Sequence, residues 1–143
     1  MEAMKSNMRN PAYDRVVVIA EDIKAMRIRG AGEIARSAVE ALLLMAQSST
    51  TSSSREFVEE IETAAKLMVH TRPTAVSLPN GIRYVIHRVR EGDRSGVDVK
   101  SLREVAIKAC REFIENSKTA IDRIGEIGAK RIRDGDVLMT HCH

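Results

Sequence analysis

From Ser101 onward the residues Ile107, Cys110, Ile114, Ser117, Ile121 and Ile124 follow one another at alternating steps of three and four. Only an α-helix gathers such positions onto one stripe. A stripe this narrow is the seam of an antiparallel bundle. Aromatic residues are scarce, with two Tyr, two Phe and no Trp. Aliphatic packing between helices is therefore the natural way for this chain to build a core.

The rest of the sequence supplies partners for that seam. Residues 1–12 read as a flexible leader ending near Pro11. From Asp14, Val16, Ile19, Ala20, Ile23 and Met26 recur at helical spacing. The pattern breaks at Arg29-Gly30-Ala31-Gly32 and resumes with Ile34, Ala38, Ala41, Leu42 and Met45. A Ser/Thr tract from Ser48 to Ser54 is a linker. Ser53 with Glu56 then forms a capping-box pattern that opens a helix carrying Phe57, Ile61, Ala64, Ala65 and Met68. Proline favours the first turn of a helix, so Pro73 is expected to start a helix running towards Tyr84 and Arg88, with a kink or break at Pro79. Residues 91–96 read as a loop, and Ser101 with Glu104 as a second capping box opening the longest helix. Only Val137 to Thr140 reads as strand. The expected fold is all-α: a bundle of about five helices over residues 13–133, with residues 134–143 beginning a second unit.

Composition narrows the function classes. At 143 residues, with 43% apolar and 30% charged residues, the chain suits one globular domain with its own core. No apolar run approaches the roughly 20 residues that span a bilayer. Residues 1–10 lack a signal peptide's apolar stretch. Cys110 and Cys142 lie far apart, and a reducing cytoplasm is the simpler setting for them. The net charge of +3 comes from interleaved basic and acidic residues, without the clustered basic face of a nucleic-acid binder.

Two segments share a chemical logic. In Arg29-Gly30-Ala31-Gly32 an arginine precedes small residues that open a helix, and in Thr71-Arg72-Pro73-Thr74 an arginine again stands just before a helix start. Helix N-termini offer unpaired amide donors and partial positive charge, and glycine lets an anion reach the backbone. Arginine adds a planar fork of donors suited to phosphate. Two such corners suit one ligand with two anionic groups. The competing reading makes Gly30 a cap on the first helix and pairs Arg72 with a neighbouring carboxylate. At the other end of the chain, strand alternation would set His141 and His143 on one face and Cys142 on the other. That argues against a His-Cys-His metal site. Cys110, inside the seam, reads as a small buried hydrophobe.

Taken in order, Arg29-Gly30-Ala31-Gly32, Thr71-Arg72-Pro73-Thr74-Ala75-Val76-Ser77-Leu78-Pro79-Asn80 and Gly135-Asp136-Val137-Leu138-Met139-Thr140-His141-Cys142-His143 resemble a superfamily. It holds the regulatory subunits of translation initiation factor two-B, methylthioribose-1-phosphate isomerase and the archaeal ribose-1,5-bisphosphate isomerases. Gly32 together with His141-Cys142-His143 is most similar to the last group. The resemblance implies a helical N-terminal domain followed by a larger Rossmann-like domain, assembled from dimers into a homo-hexamer, with no cofactor and no metal. It implies that Arg29, Gly30, Ala31 and Gly32 hold one phosphate of a sugar bisphosphate, that Arg72 contributes to phosphate binding, and that Cys142 is one of two proton-transfer residues. The second such residue in that group is an aspartate well downstream. With no counterpart before His143, this polypeptide alone is expected not to turn over substrate. The alternative is a domain related to the initiation-factor subunits that binds another protein, namely the α subunit of initiation factor two.

Overall fold

The computed structural model describes residues 10–141, which form five helices and no strand. These are α1 (Tyr13–Lys24), α2 (Ala31–Ser48), α3 (Ser54–Thr71), α4 (Ser77–Arg94) and α5 (Val99–Ala129). The all-α bundle expected from the periodicity is what the chain forms. Helix α2 is its centre and packs against each of the other four. Its buried residues include Ala35, Ala38, Ala41 and Ala46 alongside Ile34, Val39, Leu42 and Met45. Those alanines let neighbouring helices approach on several sides while the larger residues fill the gaps. Phe57, Ile61 and Met68 of α3, Leu78 and Val85 of α4, and Leu102 and Cys110 of α5 complete the core. No helix is long and apolar enough to cross a membrane among the described residues.

Several boundaries differ from the sequence expectation, each for a local reason. Helix α1 stops at Lys24, and Met26 turns out at φ 60° and 55% exposed instead of extending the stripe. Pro73 occupies a turn closed by the Ala75 amide donating to the Arg72 carbonyl at 3.1 Å. Helix α4 begins four residues later at Ser77 and runs unbroken to Arg94, past the expected loop start at Glu91. Pro79 is its third residue, where a backbone N–H would have no intrahelical acceptor, so the ring costs nothing and causes no break. Ser53 does cap α3, its hydroxyl accepting from the Glu56 amide at 3.3 Å, but the Glu56 carboxylate bonds Thr51 Oγ1 at 2.5 Å, so the box is not reciprocal. Helix α5 is capped by Asp98, whose Oδ1 accepts from the Ser101 amide at 2.7 Å. Ser101 is the third helical residue and not the cap.

The two ends also depart from expectation. Residues 1–9 lie outside the described residues, but Asn10, within the expected leader, is buried. Its amide donates to the Met45 carbonyl and to Glu60 Oε2, both at 3.1 Å. At the other end the expected strand does not form: residues 137–140 make no ladder, and Val137 and Met139 are almost fully exposed. A strand needs a neighbour to take its backbone hydrogen bonds, and none lies among the described residues. The seam of α5 is likewise only half used. Ile107 and Ile114 pack against the core, whereas Ile121 and Ile124 are 65% and 70% exposed. At 31 residues α5 is about 46 Å long, against about 27 Å for its 18-residue neighbours. Its second half outruns the bundle.

Candidate functional site

The helix starts that follow the two arginine-bearing corners, about forty residues apart in sequence, meet in space. The Ser77 hydroxyl at the start of α4 donates to the Ala31 carbonyl at the start of α2 at 2.7 Å. Gly30 is the residue preceding α2 and adopts φ 87°, ψ 135°, a conformation that side chains with a Cβ rarely take. The alternative role of Gly30 as cap of the first helix is therefore not the one it plays, since α1 ends at Lys24 and Ala25 is its C-cap. Neither α2 nor α4 has a side-chain cap at its N-terminus, whereas α3 and α5 are capped by Ser53 and Asp98. The first-turn amides of α2, from Ala31 to Glu33, thus remain open donors at the positive end of a helix.

Arg29, Ala31 and Gly32 are exposed, and Gly30 and Arg72 partly so. Arg72 follows α3 directly, five residues before Ser77. The structure records no ion pair for Arg29 or Arg72 among the described residues, so the carboxylate-pairing alternative for Arg72 finds no support there. Cys142 and His143 lie outside the described residues.

One residue of this corner escaped the sequence reading. The Arg36 side chain, only 17% exposed, folds back over Gly32, where an added Cβ would sit 3.0 Å from its Nη1. The guanidinium donates to Ser117 Oγ on α5 at 3.1 Å and to Glu33 Oε2 at 2.6 Å. Gly32 therefore makes room for a cation one helical turn onward. The signal was present as a glycine and an arginine at i and i+4. Arg36 ties the open end of α2 to the midpoint of α5.

Farther from the corner, α4 and α5 are joined by a polar chain. Arg88 lies over the Tyr84 ring at 4.9 Å and donates to its hydroxyl at 3.1 Å, and the hydroxyl donates to Glu112 Oε2 at 3.3 Å. Burial pushes the Cys110 thiol up to about 12. Deep in the core, it is no nucleophile.

Known proteins align with this arrangement. A ribose 1,5-bisphosphate isomerase of Thermococcus kodakarensis is 59% identical over 128 residues, and one of Pyrococcus furiosus is 57% identical over 128. In both, the match covers 90% of this chain and 40% of the relative, so the chain spans about two fifths of their length. Among solved structures, the delta subunit of translation initiation factor eIF-2B from A. fulgidus superposes with a TM-score of 0.69 at 28% identity. That match covers 85% of this chain and 34% of that one. The sequence pattern of the initiation factor 2 subunit family matches residues 27–143, from just before the α2 corner to the last residue. With both arginine corners inside that span, the chain belongs to the initiation factor 2 subunit family.

Proposed function

We propose that this chain is the helical, phosphate-holding part of an isomerase that interconverts ribose 1,5-bisphosphate and ribulose 1,5-bisphosphate in nucleoside monophosphate breakdown. The observation that carries the reading is the meeting of two uncapped helix starts, each preceded by an arginine, at the Ser77–Ala31 bond. One phosphate sits on the open amides of Ala31 and Gly32, with Gly30 giving access and Arg29 adding charge. Arg72 contributes to phosphate binding from the neighbouring corner. Identity of 59% to a ribose 1,5-bisphosphate isomerase, against 28% to an initiation-factor subunit, favours the enzyme over a regulatory, protein-binding role.

The chemistry moves a proton between adjacent sugar carbons, which needs a general acid and a general base facing the same substrate. Cys142 is one of the pair. The other belongs to the portion of the relatives that this chain does not span. The working form is a cytoplasmic homo-oligomer, hexameric as the family resemblance implies.

A chimera tests this: the present chain followed by the remainder of the Thermococcus kodakarensis relative, assayed with ribose 1,5-bisphosphate. The chimera should form ribulose 1,5-bisphosphate and the present chain alone should not. Cys142→Ser should lower kcat, and Arg29→Ala or Arg72→Ala should raise KM. An inactive, folded chimera defeats the enzyme reading. Capture of the α subunit of initiation factor two, with a melting temperature indifferent to the bisphosphate, would establish the regulatory alternative instead.

A further inference from the structure

Helices α3 and α4 run antiparallel, with Arg90 near the end of α4 bonded to Glu62 on the first half of α3 at 2.8 Å. Between them lies an open groove of about 470 Å³. Its floor is apolar: Ala65 and Val69 from α3, Ile82 and Ile86 from α4. Each pair is spaced by four, so the floor follows both helix axes. From Glu62 to His70 it is about 12 Å long, or two helical turns.

The rims of this groove are basic. Lys66 and His70 stand along the α3 side, and Arg83, His87 and Arg90 along the α4 side. Glu62 is the one acid lining the groove, and Arg90 already neutralises it. Lys66 and Arg83 form no ion pair among the described residues; the Arg83 guanidinium bonds only the Asn80 amide oxygen, at 3.1 Å. His70 Nδ1 donates to the Lys66 carbonyl at 2.7 Å. A small inorganic anion would make no use of the floor. An uncharged peptide would leave two exposed cations, one on each rim, unanswered.

We propose that the α3–α4 groove is a docking site for an acidic amphipathic helix of a partner protein. Such a helix lays apolar residues one turn apart onto Val69 and Ile86, the half-buried members of the floor, with Ala65 and Ile82 buried beneath them, and its flanking carboxylates reach Lys66 and Arg83. Complementary charge on both rims sets the register and excludes basic helices. This surface is separate from the α2–α4 corner and does not depend on the isomerase reading.

The test uses the whole chain and a fluorescent, helix-stapled peptide of about three turns, with leucines along one face and glutamates on both flanks. A lysine-flanked twin serves as comparison. The acidic peptide should bind at least about tenfold more tightly than the basic one, and the double variant Lys66→Glu, Arg83→Glu should invert that order. Both positions are exposed, so melting curves should show the variant folded. Equal binding of the two peptides, or an order that survives the charge reversal, would overturn the proposal. So would concentration-dependent self-association that the double variant abolishes, since a second copy would then be the occupant.

Discussion

Ser77 Oγ lies 2.7 Å from the carbonyl oxygen of Ala31, joining the first residue of α4 to the first residue of α2. This bond sets the distance between two helix ends that otherwise share only the core beneath them. Ser77→Ala should cost about 1 kcal/mol in denaturant-induced unfolding. In the chimera it should raise KM for the bisphosphate more than it lowers kcat. An unchanged KM would mean that the bond is structural only.

Gly81 is a point where α4 passes close to its neighbours. A Cβ there would stand 2.9 Å from Phe113 Cζ and 3.1 Å from Val39 Cγ2. Alanine brings a helix-propensity gain of up to about 1 kcal/mol, while overpacking a close crossing costs about 1–3 kcal/mol. The net effect of Gly81→Ala should be destabilising, read as a lower urea midpoint with an unchanged slope.

The Ser101 amide, and after it the Ser101 hydroxyl, holds the Asp98 carboxyl below its ordinary value. A lowered folded-state pKa means stability that is fully present above the ordinary carboxylate range. It is lost as the pH falls through the folded value. Asp98→Asn should therefore melt below the parent at neutral pH, with the gap closing as the pH falls below the ordinary carboxylate range. A gap independent of pH would show that shape, not charge, does the capping.

Cys110 behaves in the opposite sense. Burial raises its thiol to about 12, so the native chain keeps it protonated while the unfolded chain ionises near 9. Its contribution to stability is complete below about 9 and declines at higher pH. In a Cys142→Ser background, a thiol reagent at neutral pH should label nothing until denaturant is added. Prompt labelling of the folded protein would contradict the core packing.

The architecture was legible because its signals are local. Ile34, Ala38, Leu42 and Met45 sit where their periodicity requires, and Ser53 caps the helix it announces. Choices between competing local signals were harder. Pro73 and Pro79 both suit a helix start, and Asp98 and Ser101 both suit a cap; the nearby backbone decides between them. Both arginine corners could be recognised in sequence, but the adjacency of the helix starts that follow them could not. It rests on α2 and α4 packing together and on one hydroxyl reaching Ala31. Arg36 was overlooked because its partner Ser117 lies 81 residues away. Nor does spacing reveal that α5 outlasts its neighbours, since Ile121 and Ile124 follow the same rhythm as Ile114.

That overhang makes α5 a beam clamped at one end. Its first half is held by Leu102, Ala106 and Cys110 at essentially zero exposure, while every residue from Ile121 to Ala129 is exposed. Isolated helical turns of that length are marginal in water. Amide exchange along α5 should therefore slow by orders of magnitude from Ile127 back to Ala109, with the step falling near Ser117. The Arg36–Ser117 bond sits at that step, so a load on the far end of α5 would bear on the start of α2 through this guanidinium as well as through the core that the two helices share.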